Sequence, residues 1–231
     1  IYHGLTWGPL VREIVSAATG KNIRDILAAE ILDPLGFRWT NYGVAARDVD
    51  SVAPSHATGK PMRGPVATVF RLAVGGSMEK IIPFSNTPAY LMSVLPSSNT
   101  VSTAHELSRF AEILRREGEL DGVRIMRPNT LRAAVKECRR LRPDVAVGLA
   151  PLRWGTGYML GSNRFGPFGR GAPTAFGHLG LTNIAVWADP ERGLAAGLIS
   201  SGKPGPHREA NRYTALLDRI TDSFAPKSTS A

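Results

Sequence analysis

Apolar positions recur at helical spacing near the start of the chain: Leu10, Ile14 and Ala17, with Val11 and Val15, form one stripe that Gly20 closes. Asn22 is placed to cap a second helix, with Asp25 at its third position and Ile23, Ile26, Leu27 and Ile31 as its stripe, until Asp33-Pro34-Leu35-Gly36 ends it. From Phe37 to Pro96 the period is interrupted by Pro, Gly and Ser, as in Ala57-Thr58-Gly59-Lys60-Pro61 and Gly75-Gly76-Ser77, which predicts loops and short helical turns. Thr103 and Glu106 form a capping box for a helix carrying Leu107, Phe110, Ala111 and Leu114. Asp121-Gly122 marks the turn behind it, and Pro128 at a first helical position starts another helix reaching Cys138.

Beyond residue 150 the pattern changes. Trp154 to Leu160 predicts a strand, Arg164 to Pro173 a Gly- and Pro-rich loop, and Phe176 to Leu181 an edge strand. Thr182 to Ala188 and Leu194 to Ser200 predict a hairpin turning on Asp189-Pro190-Glu191-Arg192-Gly193. A last helix from about Asn211 aligns Tyr213, Leu216, Leu217, Ile220 and Phe224 to cover the sheet, and Ala225 to Ala231 reads as a disordered tail. Helices first and an antiparallel sheet with a covering helix last predict α+β architecture and exclude a doubly wound parallel sheet. The expected organisation is one domain over 1–231, helical with loops to about 150, then sheet and covering helix from 151 to 224.

Composition narrows the class. The 231 residues are 43% hydrophobic and 20% charged, enough for a buried core, and no apolar run approaches the roughly 18 residues of a membrane span. The net charge of +9 raises nucleic-acid binding, with Lys136, Arg139, Arg140 and Arg142 as the densest cluster. Elsewhere the basic residues are scattered with no interleaved aromatic platform, so no nucleic-acid partner is expected. The single Cys138 excludes an intramolecular disulfide, and its spacing from Leu131 and Val135 predicts a buried structural thiol. His3, His56, His105 and His207 lack metal-ligand spacing, and the glycines form no nucleotide-binding arrangement, so neither metal nor cofactor is expected.

The candidate chemistry gathers on Phe176-Gly177-His178-Leu179-Gly180-Leu181. On an extended chain His178 and Gly180 point to one side, so an imidazole borders a cleft where glycine admits a substrate close to the backbone. The Leu181 N–H is the next donor for an oxyanion. A structural histidine satisfied by a backbone carbonyl is the competing reading of His178. Ser97-Ser98-Asn99 either reach a cleft or form a turn with local side-chain bonds, and Trp154 either faces substrate or packs in the core.

Together with Tyr2-His3-Gly4 at the start, the His178-Leu179-Gly180 segment resembles the serine β-lactamase-like hydrolases, in particular the class C-like esterases. That family uses a Ser-x-x-Lys nucleophile motif, a Tyr-x-Asn-like motif and a Lys/His-x-Gly strand, and the resemblance runs over nearly the whole chain. It implies a β-lactamase/transpeptidase-like fold, Tyr2 as general acid/base, His178 as the source of a hydrogen bond or positive charge beside it, and Gly180 and Leu181 at the oxyanion. Ser98, Asn99 and Trp154 line the same region by that resemblance. Gly4 stands where relatives often have Asn, and Leu179 replaces a small hydroxyl residue of penicillin-recognising enzymes. Both departures remove donors to a β-lactam, so a small-molecule ester or acyl substrate is expected.

Two Ser-x-x-Lys matches occur, Ser77-Met78-Glu79-Lys80 and Ser200-Ser201-Gly202-Lys203. Pro83 follows the first closely, Gly202 and Pro204 interrupt the second, and both follow Tyr2 where the family order puts the nucleophile before it. The chain therefore reads as the distal part of a longer protein whose nucleophilic serine lies upstream, inactive and unstable by itself. An inactive relative binding cell-wall peptide or an acylated ligand is the alternative function. The sequence leaves oligomeric state open, and the compartment open between cytoplasm and cell envelope.

Overall fold

The computed structural model describes residues 2–138 and 151–226, without the side chains of 206–211. Arg139, Arg140 and Arg142 of the basic cluster, the side chain of His207 and the tail from residue 227 lie outside the described residues. The chain divides into two units, one of residues 1–103 with 200–205 and one of residues 104–199 with 206–231.

The first unit opens with α1 (Trp7–Thr19), stopped by Gly20, whose left-handed φ of 67° lets its N–H reach the Ser16 carbonyl at 2.8 Å. Its expected stripe is not its buried face: Leu10 and Ile14 are exposed with Trp7, and the buried position is Gly8. The Asn22 side chain accepts the Arg24 N–H at 2.9 Å and caps α2 (Ile23–Leu27), which continues through a π turn and a 3₁₀ turn to Gly36. After β1 (Asn41–Tyr42) and β2 (His56–Thr58) the stretch expected as loops contains α3 (Gly64–Val74), α4 (Met78–Ser85) and α5 (Pro88–Leu91). In α3 the residues taken as breakers are its boundaries, Pro65 in its first turn and Gly75 as the left-handed cap. Phe70, Met78 and Ile82 bury one face of α3 and α4 with Met62, Val74 and Ile81. β3 (Thr100–Val101) pairs antiparallel with β1.

The second unit starts with α6 (Ala104–Arg115), followed by the hairpin β4 (Glu119–Leu120) and β5 (Val123–Arg124) around Asp121-Gly122, both at positive φ as a type I′ turn requires. α7 (Pro128–Val135) then stops three residues short of Cys138, because Lys136 is already extended. The thiol expected to be buried is exposed, and the Cys138 N–H bonds the Trp154 carbonyl at 2.9 Å. The expected strand from Trp154 to Leu160 is two short strands, β6 (Arg153–Trp154) and β7 (Met159–Leu160), folded back by a turn in which Gly157 has φ 87°. With β8 (Phe176–Leu179), β9 (Ala185–Asp189) and β10 (Leu194–Leu198) they form an antiparallel sheet in the order β10-β9-β8-β7-β6.

Between β10 and the last helix, β11 (Gly202–Pro204) belongs to the first unit and pairs parallel with β2. α8 (Pro206–Ser223) closes the chain, starting five residues earlier than its apolar stripe suggests because Pro206 occupies the first helical position. On one sheet face Trp187, Met159 and Phe168 pack with Leu217 of α8, the Phe168 and Trp187 rings stacked at 6.0 Å. On the other, Leu160, Phe176 and Ala188 pack with Leu114 of α6 and Leu131 of α7. α6 also contacts β9 and β10 and so belongs with them to the second unit, which begins at Ala104. The β9–β10 turn is fixed by a buried pair: Arg192 meets Asp189 at 3.3 Å, and the Thr174 hydroxyl donates to the same carboxylate at 3.0 Å.

Candidate active site

The strand expected at the sheet edge is internal: in the second unit β8 pairs with both β7 and β9, and strand alternation puts Phe176 and His178 on one face, Gly177 and Leu179 on the other. Gly177 lets β8 lie close against β9: a Cβ there would stand 2.0 Å from the Val186 carbonyl oxygen and 2.6 Å from Trp187 Cα. His178 follows directly, opposite Val186.

The His178 ring is oriented twice. Its Nδ1 lies 2.6 Å from the Leu179 carbonyl oxygen, which places a ring proton on Nδ1 and leaves Nε2 as the basic nitrogen of the neutral ring. The Trp154 ring packs on it at 6.3 Å, tilted by 58°. Burial pushes the imidazole pKa below its usual 6.5, opposed by the smaller effect of the Leu179 bond. The lowered pKa favours the neutral ring at pH 7. Trp154 reaches this place because the Gly155 N–H bonds the Tyr158 carbonyl at 2.9 Å and folds β6 back along β7.

Beyond β8 the chain reverses through a turn closed by the Gly180 N–H on the Ile184 carbonyl at 2.9 Å. Gly180 and Leu181 are exposed at its entry. Thr182 and Asn183 follow, both left-handed with φ 51° and 56°. For a β-branched residue that conformation costs on the order of 1–2 kcal/mol. The Thr182 hydroxyl is buried without a hydrogen-bond partner among the described residues. The Tyr213 hydroxyl of α8 donates to the Ile184 carbonyl at 3.2 Å and holds the far side of the turn. Neither Thr182 nor Tyr213 was legible as a site residue, since the strain at one and the reach of the other exist only after the hairpin and helix have packed.

Tyr2, Ser98 and Asn99 belong to the first unit. Burial raises the Tyr2 phenol above its usual 10, so it holds its proton at neutral pH. Gly4 makes room for that ring: a Cβ there would meet Tyr2 Cε1 at 2.8 Å. The segment after it is stapled to the following loop by Ser97, whose hydroxyl accepts the Gly8 N–H at 2.6 Å and donates to the Leu5 carbonyl at 3.1 Å. The Ser98 carbonyl accepts the Tyr90 hydroxyl at 2.7 Å. Asn99 is buried, and its amide nitrogen donates to the carbonyls of Tyr90 and Ser93, both at 2.6 Å. Its donors hold the loop, and Ser97 is the residue of the trio that ties this loop to the tyrosine segment.

Neither internal Ser-x-x-Lys match opens a long helix. Ser77 precedes the eight-residue α4, with Pro83 inside it, and Lys80 is exposed. Ser200 and Lys203 lie on an extended segment, where the buried Lys203 ammonium donates to the Ser200 carbonyl and burial lowers its pKa below 10.5. Among the described residues no group of three His, Cys, Asp or Glu is placed to hold a metal ion, and no helix is long and apolar enough to cross a membrane.

Comparison with known proteins shows what the chain as a whole is similar to. The family model described as Beta-lactamase matches residues 1–219. The esterase/beta-lactamase LipL of Mycobacterium tuberculosis is 29% identical over 213 residues, covering 86% of this chain and 47% of that protein. The chain thus spans about half the length of the curated relative it matches. A penicillin-binding protein homologue from Caulobacter crescentus superposes with a TM-score of 0.76 at 26% identity, over 96% of this chain and 58% of that one. A family VIII carboxylesterase shares the fold with a TM-score of 0.74 at 22% identity, over 94% and 57%.

Proposed function

Because the chain belongs to the Beta-lactamase family, we propose that it is the tyrosine- and histidine-bearing part of a serine hydrolase that cleaves carboxylic esters through an acyl-serine intermediate. The attacking serine and its lysine are supplied by a segment outside these 231 residues. The serine Oγ attacks the ester carbonyl carbon, and its proton passes to the Tyr2 phenolate. Leu181 presents its backbone N–H to the resulting oxyanion, and Gly180, whose own N–H is held by the Ile184 carbonyl, leaves the approach open. The intermediate collapses by breaking the bond to the alcohol oxygen, which takes the proton back from Tyr2. Water then attacks the acyl-serine and releases the acid. Burial alone keeps Tyr2 protonated, so the phenolate depends on a cation beside it, which is the part assigned to the missing lysine.

The observation that supports the reading most is the oriented, uncharged imidazole of His178 directly before the exposed Gly180-Leu181 turn. A neutral, fixed imidazole takes part in such a site through hydrogen bonding and not through charge. Trp154 holds the ring plane. Gly4 and Leu179 supply no side-chain donor for a β-lactam carbonyl or carboxylate, which favours small or medium acyl esters.

The test is hydrolysis of p-nitrophenyl acetate and butyrate, and of a chromogenic cephalosporin, by the protein extended upstream to include a Ser-x-x-Lys segment. Tyr2→Phe is expected to lower kcat by about 100-fold or more. Unchanged ester turnover in that variant removes Tyr2 from the mechanism, and faster cephalosporin than ester cleavage overturns the substrate assignment.

A further inference from the structure

α3 carries two apolar faces. Phe70 and Val74 pack inward on the cluster of Met78 and Ile82. On the adjoining face Val66, Val69 and Leu72, spaced three residues apart, are 51%, 49% and 82% exposed. A surface helix ordinarily turns polar residues outward, yet the only charged residue among the eleven of α3 is Arg71. Isolated exposed aliphatics need no explanation, but three in a row along one helix form a patch.

The chain around the patch carries mainly one sign of charge. Between residues 59 and 85 there are four cations, Lys60, Arg63, Arg71 and Lys80, against the single acid Glu79. All four are exposed, and among the described residues none of them forms a salt bridge. The Arg71 guanidinium bonds only within its own helix, to the Thr68 hydroxyl at 3.3 Å. Apolar side chains flanked by unpaired cations match a layer with acyl chains beneath phosphate headgroups.

We propose that the Val66, Val69 and Leu72 face of α3 docks on an anionic lipid surface. The helix lies in the interfacial plane, the three aliphatic side chains enter the acyl boundary, and Arg63 and Arg71 contact lipid phosphates from the rim. Each cation near such a surface contributes about fivefold to partitioning, an effect that salt screens. A protein partner for the patch would need a comparably acidic rim, and the +9 net charge makes a second copy of this chain repulsive to the same surface.

The experiment is co-sedimentation of the protein extended upstream to include a Ser-x-x-Lys segment with vesicles of phosphatidylcholine alone and of phosphatidylcholine containing phosphatidylglycerol, with sedimentation velocity on the same protein without lipid. Expected are binding to the anionic vesicles, little to the neutral ones, and release by added salt. Val69→Asp with Leu72→Asp should weaken partitioning at least about tenfold. Arg63→Glu with Arg71→Glu should abolish the preference for anionic lipid without touching the apolar face. Leu72→Ser, a milder outward change, guards against loss of fold, and far-UV circular dichroism of each variant must overlay the parent. Equal binding to both vesicle types, or binding that survives the aspartates, overturns the proposal. So does a dimer dissociated by Leu72→Asp with no lipid binding, which would make the patch an interface between copies. Ester turnover on a soluble substrate is unaffected by these variants, so failure here leaves the hydrolase reading standing.

Discussion

Gly177→Ala tests whether the close approach of β8 and β9 holds the sheet together. An added Cβ would stand 2.0 Å from the Val186 oxygen, 2.6 Å from Trp187 Cα and 2.8 Å from Trp187 Cβ. Contact at about 3.0 Å or more requires β9 to move roughly 1 Å away, against a strand spacing of about 4.8 Å. β9 is not free to move, because five of its residues pair with β10 and Trp187 is 1% exposed beneath Phe168. Overpacking of this kind costs about 1–3 kcal/mol, and stretching the ladder hydrogen bonds beside it adds about 1 kcal/mol, for roughly 3 kcal/mol in all. The assay is urea unfolding followed by far-UV circular dichroism, with Gly180→Ala as control. At a slope near 2 kcal/mol/M the midpoint should fall by about 1.5 M with the slope unchanged. Gly180→Ala meets chiefly the Ile184 side chain, with Cβ at 2.9 Å and Cγ2 at 3.0 Å in a turn that can yield, and should cost about 1 kcal/mol. A midpoint drop below about 0.5 M for Gly177→Ala, or a larger loss for Gly180→Ala, refutes the argument.

His178 resists protonation in the folded chain, so its neutral form survives below pH 6.5. The acidic limb of kcat/KM for ester hydrolysis should therefore lie below 6.5, and the ring's unfavourable contribution to folding should appear as pH falls through the same range. A limb above 6.5 that disappears in His178→Gln contradicts this. Ser97→Ala strips the acceptor from the Gly8 N–H and should cost about 1–2 kcal/mol by thermal melting, with Ser97→Thr keeping part of it. The Lys203 ammonium is disfavoured by burial, so folding expels a proton and the penalty fades as pH rises from the lowered folded pKa to about 10.5. Lys203→Met should consequently be more stable than the parent at pH 7, by a margin that shrinks on titration toward 10.5; a constant margin argues against the burial effect. Tyr213→Phe removes one of the two bonds to the Ile184 carbonyl and should lower stability by about 1 kcal/mol while raising hydrogen exchange in residues 180–184, and exchange there equal to the parent would deny its hold on the turn.

The parts of the fold legible in the sequence are those fixed by local chemistry. Asp121-Gly122 and the segment from Asp189 to Gly193 make turns whose backbone demands few residues satisfy, and Gly20 ends α1 by the same logic. The α+β order followed from the change of apolar period near residue 150. What the sequence concealed depends on context. Pro65 and Gly75 delimit a helix as readily as they interrupt one, and only the burial of Phe70 decides between the two. Cys138 kept helical spacing, but the chain left the helix at Lys136 to bring its N–H to the Trp154 carbonyl. At the candidate site the His178-x-Gly180 spacing was visible, whereas the tautomer, the lowered pKa and the Trp154 contact are products of burial. Asn99 illustrates the opposite hazard, a polar residue in a promising tripeptide whose amide is consumed by neighbouring carbonyls.

The back-to-back left-handed pair at Thr182 and Asn183 acts as a small loaded spring immediately beyond the imidazole. Glycine at position 182 would discharge it at little synthetic or evolutionary distance, so the two selective pressures are separable in a single codon. Randomising that codon and enriching for heat tolerance should drift toward glycine or asparagine. If the turn serves the proposed site, enriching the same library for turnover should retain threonine, and drift to glycine under both selections would show that the strain serves no function.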